Sequence, residues 1–265
     1  MFLKKVKLIK DYPFMLKSLY QNQKSFFITF LCLLMAISGF AQSNFYKLSL
    51  GGGVGVTQSF TDVEKHSLGG SIYGTADYYF TPFISLGIEG QIGQINGGSV
   101  TTDPSNRQFI NNYKSATING KIFLGNFIDY SYSQSSNLLK GFYFGSGIGV
   151  IKNSMKDIVR YKDDDKSTVG INESYTFPGQ NNSYNVDIPL NIGLNVYFAD
   201  YNGNYRYTLN FNFQSNITIG EGLDGYNDSS IKFRNNNPDI YNFLSVGVKY
   251  NFGTLGFSNK TFRKP

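Results

Sequence analysis

Residues 186–198, "VDIPLNIGLNVYF", alternate strictly. Val186, Ile188, Leu190, Ile192, Leu194, Val196 and Phe198 share one parity, and Asp187, Pro189, Asn191, Gly193, Asn195 and Tyr197 share the other. Successive side chains of a strand point to opposite faces, so this run is a strand with one greasy face. The pattern recurs along the chain. Period two predicts eight strands, at 45–57, 68–80, 83–95, 114–125, 141–152, 184–199, 205–217 and 240–252. Soluble strands usually run about 5–6 residues; these are longer and suit tilted membrane strands of about 9–11 residues with overhang.

In each segment one parity is apolar or glycine. Examples are Leu48, Leu50, Val54 and Val56; Leu68, Ile72 and Ala76; Ile84, Leu86, Ile88 and Ile92; Ala116, Ile118 and Ile122; and Leu244, Val246 and Val248. This parity is expected to carry no ionisable residue in any segment. The opposite parity is polar and small, with Ser49, Thr75, Glu89, Gln91, Thr117, Asn119, Asn191, Asn195, Asn210, Asn212 and Gln214. Parity alone does not say which face is convex, and a soluble barrel such as a lipocalin needs its apolar face inside. Two features favour the apolar face outside. Tyr46, Tyr78, Phe80, Phe142, Phe144, Phe198, Tyr205, Tyr207, Tyr250 and Phe252 fall at one end of the strands, as an interfacial aromatic girdle would. Connections at that end are short, "TP" (81–82) and "DYNGN" (200–204), with 126–140 as the exception. Those at the other end are longer, at 58–67, 96–113, 153–183 and 218–239. Short inner turns alternating with long outer loops is the pattern of outer-membrane barrels. In hydrocarbon every backbone polar group must pair internally, which a closed sheet achieves.

The first residues read as a leader. Lys17 and Lys24 precede an apolar run, "SFFITFLCLLMAISGF", that ends in Gly39-Phe40-Ala41. That is the order of a secretory signal peptide, cut after Ala41, with Met15 an alternative start. The rival reading is a membrane anchor, but the run is short for a spanning helix. Cys32 is the one cysteine and leaves with the leader, so the remainder can form neither a disulfide nor a thiolate metal site. Residues 1–41 also hold six of the 24 Lys and Arg and one of the 18 Asp and Glu, leaving 18 against 17, a net charge of +1. The basic excess is therefore no argument for nucleic acid.

The stretches "GGSIYGTADYYFTPFISLGIEGQIG" (69–93), "GFYFGSGIGVI" (141–151), "VDIPLNIGLNVYF" (186–198) and "LSVGVKYNFG" (244–253) resemble the small bacterial outer-membrane β-barrels, the porin-family or outer-membrane-protein-A-like barrels. The resemblance implies an all-β, eight-stranded, antiparallel, up-and-down transmembrane barrel in the cell outer membrane, reached by secretion across the inner membrane. It also implies that the closing strand, ending in Phe252, is read by the barrel-assembly machinery. Here "TLGFSNKTFRKP" follows where that family usually stops.

Eight strands enclose a lumen that side chains can fill. The charges expected inside are Lys47, Asp77, Glu89, Lys121, Arg206 and Lys249. They read either as a constriction lining a narrow pore or as an ion-pair network that fills a closed barrel; the strand count favours the second. The inward glycines Gly51, Gly53, Gly55, Gly145, Gly147 and Gly149 would make room for long side chains. Pro189 lacks an N–H inside a strand with no free edge, which predicts a bulge or a local break in pairing.

Signals for catalysis are thin. "GGGVG" (51–55) lacks the Gly-Lys-Ser/Thr of a phosphate loop. His66 is the single histidine, in the first long loop, without an evident Ser/Asp arrangement. "KDDDK" (162–166) lacks the spaced ligands of a cation loop and reads as a solvated charge run. The sequence thus divides into a leader at 1–41, a barrel at 42–252 and a tail at 253–265. The expected role is structural or interactive, with no cofactor, no catalysis and no nucleic-acid partner. The expected partners are outer-membrane lipid, the assembly machinery and a surface ligand at the long loops, 153–183 being the longest and most charged. A small porin and a lipid-modifying enzyme using His66 are the alternatives.

Overall fold

A computed structural model describes residues 43–103, 105–130, 133–162, 174–227, 239–258 and 262. The leader, Met15, Cys32 and 163–166 of the charge run lie outside the described residues. Eight long strands follow one another: β1 (Ser43–Phe60), β2 (His66–Thr81), β3 (Ile84–Gly98), β4 (Gln108–Phe123), β5 (Phe142–Val159), β6 (Asn182–Ala199), β7 (Tyr205–Ile219) and β8 (Ile240–Ser258). Each pairs antiparallel with the next, and β1 pairs with β8, so the sheet closes into a barrel. In this ring β3 stands opposite β7, and β4 opposite β8.

The apolar face is outside. In 186–198, Val186, Leu190, Ile192 and Phe198 are exposed, while Asp187, Asn191 and Asn195 are buried at 0%, 2% and 1%. The same holds round the ring: Leu50, Ile72, Ile88, Ile118, Ile148, Phe211 and Val248 all stand exposed. At the short-turn end Tyr78, Phe80, Phe144, Phe198, Tyr207 and Tyr250 form an exposed aromatic band. Tyr78 packs edge-on to Phe80 with ring centroids 5.1 Å apart, and Phe142 does the same to Phe144. Pro189 produces a local break and no bulge. Ser146↔Leu190 and Gly149↔Asp187 keep the same register on either side of it along β5, while Pro189 still faces Asn216 of β7.

Several expectations need correction. The strands run further toward the long loops than their apolar alternation does, because pairing there continues after the outward face has turned polar. Gln94, Asn112, Ser154 and Asn182 sit side by side on that outward face. Inside this collar the side chains are largely apolar: Ile95, Phe109, Tyr113, Ile151, Tyr241 and Phe243 are buried, around the amide pair of Asn111 and Asn153. The outward parity is also not free of charge, since Lys114 and Lys152 are exposed on it at the top of the greasy zone. The last strand continues through 253–258, past Phe252. Tyr205 leaves the girdle and points into the closed end, because the register shifts between Phe198 and Ala199. A 3-10 turn (Leu124–Asn126) leads into the exceptional turn 126–140, which contains the helix α1 (Gln134–Leu139).

Candidate functional site

The barrel encloses a polar lumen, which toward its short-turn end holds an ion trio. Lys121 and Lys249 project from opposite strands, β4 and β8, onto the carboxylate of Asp77 on β2. Lys249 Nζ lies 2.7 Å from Asp77 Oδ2 and Lys121 Nζ 3.3 Å from Oδ1, with all three side chains at 3% exposure or less. Each member has a glycine as its cross-strand neighbour: Gly87 beside Asp77, Gly145 beside Lys121 and Gly51 beside Lys249. A Cβ at Gly51 would come within 2.6 Å of Lys249 Cγ, and one at Gly145 within 3.0 Å of Lys121 Cγ. The small residues of the inward parity are thus the space into which the charged stems lie. Buried charges in such a setting need partners, and here one carboxylate serves two ammonium groups.

Above the trio the lumen is spanned by amides and phenols. Gln91 on β3 donates from Nε2 to Glu89 Oε1 at 2.8 Å and to Gln214 Oε1 of the facing β7 at 2.9 Å. Along β7, Asn210 donates to Asn195 at 2.7 Å, Asn212 to Asn191 at 2.9 Å and Gln214 to Asn216 at 2.9 Å. Tyr143 donates to Asn212 Oδ1 at 3.0 Å, and Tyr73 reaches Asn210 Oδ1 at 3.3 Å. The Gln91–Gln214 hydrogen bond thus ties diametrically opposed strands together across the lumen.

Both ends are stoppered. At the long-loop end the residues after β7 fold across the mouth and bury Leu223 fully. The Asp239 carboxylate holds this turn by accepting from the Leu223 and Gly222 N–H groups at 3.0 and 3.3 Å. Arg107 lies between the Phe177 and Tyr226 rings, 5.8 Å from each, and pairs with Asp103 at 3.7 Å. Burial pushes the Asp224 carboxyl in this cap up to about 7, and it raises Asp239 likewise.

At the short-turn end Phe45, Tyr79, Phe83, Phe123, Tyr130, Tyr143 and Phe262 form an aromatic layer. Phe262 packs edge-on to Phe83, Tyr197 and Tyr205 with ring centroids 5.0–5.5 Å apart. Lys140, just after α1, donates to the Phe262 carbonyl at 2.8 Å and to Tyr205 Oη at 3.1 Å, its ammonium 4.5 Å from the Tyr205 ring centroid. Burial without a carboxylate pulls Lys140 down to about 8. A crevice of about 410 Å³ opens beside it, lined by Leu138, Lys140, Asn195, Tyr197 and Tyr205 among others.

Of the six charges expected inside, Asp77, Lys121 and Lys249 meet in one cluster, and Glu89 lies buried nearby on Gln91. Lys47 and Arg206 lie apart from that cluster. Lys47 occupies the register shift between Tyr46 and Leu48 and makes no ion pair among the described residues. Arg206 sits at the short-turn rim, 2.9 Å from Asp200, hydrogen-bonded to the outward Tyr46 and Tyr250 and 4.6 Å from the Tyr46 ring centroid. For Arg206 the register shift at Phe198/Ala199 breaks the parity by which the side chain was placed inside, while Lys47 is half-buried between the inward Phe45 and Ser49.

The inward aromatics Tyr73, Tyr113, Tyr143 and Tyr241 were absent from the expected lumen, although Tyr73, Tyr113 and Tyr241 share the parity of their strands' polar residues and Tyr143 that of the inward Gly145, Gly147 and Gly149. Lys140 and Phe262 had no periodic signal. His66 is exposed with its ring against Phe60 at 4.7 Å, and it makes no hydrogen bond among the described residues. Among the described residues there is also no group of three or more His, Cys, Asp or Glu fit to hold a metal.

A closed antiparallel ring of eight strands with its apolar face outward and a charged, filled lumen is an inverted soluble barrel. Its fold is that of the small outer-membrane β-barrels. No protein-family model and no curated protein matches the sequence. Solved structures of similar chain path include Neisserial surface protein A, 12% identical over 78% of this chain and 97% of that one, with a TM-score of 0.44. The attachment invasion locus protein Ail of Yersinia pestis is 13% identical over 78% and 99%, with a TM-score of 0.39. The outer membrane protein OprG of Pseudomonas aeruginosa is 11% identical over 79% and 98%, with a TM-score of 0.38. Similarity at this level bears on neither ligand nor activity; the barrel is defined by its own strand pairing.

Proposed function

We propose that this chain is an integral barrel of the bacterial outer membrane, closed along its lumen, that acts through its outer loops in a structural or surface-recognition role. The observation that carries the reading is the exposed apolar belt around a barrel whose interior holds an ion trio. Aqueous solvent would reverse that arrangement, and hydrocarbon requires it. A charge at mid-depth on the lipid face costs about 2–4 kcal/mol, which explains why the belt between the girdle and Lys114 is uncharged. On this reading 1–41 is the secretory leader, the outer-membrane lipid is the solvent of the belt and the assembly machinery reads β8. The long loops then display the surface on which a ligand would land, as loops on a rigid scaffold commonly do.

Membrane fractionation combined with heat-modifiable gel mobility tests the location: folded barrel is expected in the outer-membrane fraction, running anomalously until boiled. Planar-bilayer recording of the purified protein tests closure. A silent bilayer is expected on this reading, which the Gln91–Gln214 bond across the lumen and the buried clusters at both ends support. Stepwise conductance would replace this reading with a small porin.

A further inference from the structure

On the outward face one row of four cross-strand neighbours departs from the belt. Ile92 of β3 pairs with Lys114 of β4, Lys114 with Lys152 of β5, and Lys152 with Tyr184 of β6. Two exposed lysines therefore stand directly opposite each other on adjacent strands, a like-charge pairing that is destabilising by itself. Neither makes an ion pair among the described residues. Lys152 Nζ lies 5.4 Å from the ring centroid of Tyr184, which is itself 72% exposed.

The depth of this row is fixed by its neighbours. The next row inward is Gly90, Ala116, Val150 and Val186; the next row outward is Gln94, Asn112, Ser154 and Asn182. The lysines thus sit at the line where the apolar belt gives way to the polar collar, the level of lipid headgroups at the long-loop end. Beneath them the belt is thin. A Cβ added at Gly90 would find its nearest neighbour, Ser115 O, at 3.9 Å, and Ala116 beside it is the smallest side chain of its row after Gly90. Ile88, Ile118 and Ile148, each more than half exposed, wall this shallow seat on its inner side.

We propose that Lys114, Lys152 and Tyr184 form a binding site for a phosphate-bearing lipid of the outer leaflet. Its phosphate bridges the two ammonium groups, and an acyl chain lies in the depression over Gly90 and Ala116. The anion turns a repulsive cross-strand pair into a clamp between β4 and β5, and Tyr184 supplies the amphipathic ring usual at an interface. The site rests on the membrane reading above, since it exists only where the belt meets lipid.

The test uses the purified protein inserted into vesicles of phosphatidylcholine, alone or doped with diphosphorylated lipid A. Insertion is read by heat-modifiable mobility, and retained lipid is read by native mass spectrometry after release into detergent. Wild type, the double variant Lys114→Gln/Lys152→Gln and a remote control, Lys65→Gln, are expected to insert equally into pure phosphatidylcholine. Lipid A retention is expected to match wild type in the control and to fall about fivefold per lysine in the double variant. Excess inorganic phosphate is expected to leave retention unchanged. Equal retention by wild type and double variant overturns the site. Displacement by inorganic phosphate overturns the lipid assignment in favour of a simple phosphate site. Failure of every form to insert overturns the membrane reading itself.

Discussion

The belt and the collar are built from the same strands and bury the same face, yet that face is polar in the belt and largely apolar in the collar. In the belt, β4 presents Ala116, Ile118 and Ile122 outward and hides Thr117, Asn119 and Lys121. A few residues along the same strand, the collar hides Phe109 and Tyr113 and presents Asn112 outward. The inward parity of β4 is kept across the boundary; on the membrane reading, what changes is the liquid outside. On the membrane reading, polarity inside this barrel follows what lies beyond its wall, with the row of Lys114 and Lys152 marking the changeover.

The comparison can be broken first from the inside. Phe109→Ala should destabilise the collar by about 3–5 kcal/mol, as truncation of a buried aromatic does. Asp77→Ala should remove a similar amount, about 3–5 kcal/mol, from the belt by leaving two buried ammonium groups unpartnered. Denaturant titration in lipid vesicles measures both, and either change coming out near zero would mean that the corresponding interior is not packed as described. From the outside the two regions should differ. Ile88→Arg, on the belt, should lose about 2–4 kcal/mol and insert poorly, whereas Gln94→Arg, on the collar of the same strand, should stay within about 0.5 kcal/mol of wild type. Equal penalties would erase the boundary.

The smallest effect is a pH response confined to the long-loop cap. Asp224 is raised by burial to about 7 in the folded cap, from an ordinary value near 4. Its folded form holds the proton more tightly than its unfolded form. The stability it contributes is therefore complete below about pH 4 and lost as pH climbs through about 7. Asp239 is raised in the same direction, which reinforces the trend. Limited proteolysis of 219–227 should become faster between pH 5 and pH 8 by the standard of an unrelated loop, and Asp224→Asn should flatten that difference.

Much of the belt was legible in the sequence because lipid on one side and a polar lumen on the other enforce a strict period of two. All eight strands and the trio of Asp77, Lys121 and Lys249 follow from that period. The collar was not legible for the reason the comparison gives: in "QFINNY" (108–113) the apolar residues change parity, so a frame chosen on the belt ends there. Arg206 meets the outward Tyr46 and Tyr250 because a register shift near the rim turns a side chain without altering its sequence parity. The short-turn stopper had no local signal at all. Lys140 and Phe262 meet across 122 residues through one carbonyl bond and a ring face, and neither contact has a period.

The most direct measurement is of what touches each face of β6. Single spin labels at Leu190→Cys and Asn191→Cys, in a Cys32→Ser background, can be read in vesicles for collisions with oxygen, which concentrates in lipid, and with a water-soluble nickel chelate. The label at Leu190 should collide readily with oxygen and rarely with the chelate, while the label at Asn191 should be shielded from both. A label at Leu190 that met the chelate freely, or one at Asn191 that met oxygen as freely as its neighbour, would turn the barrel outside in.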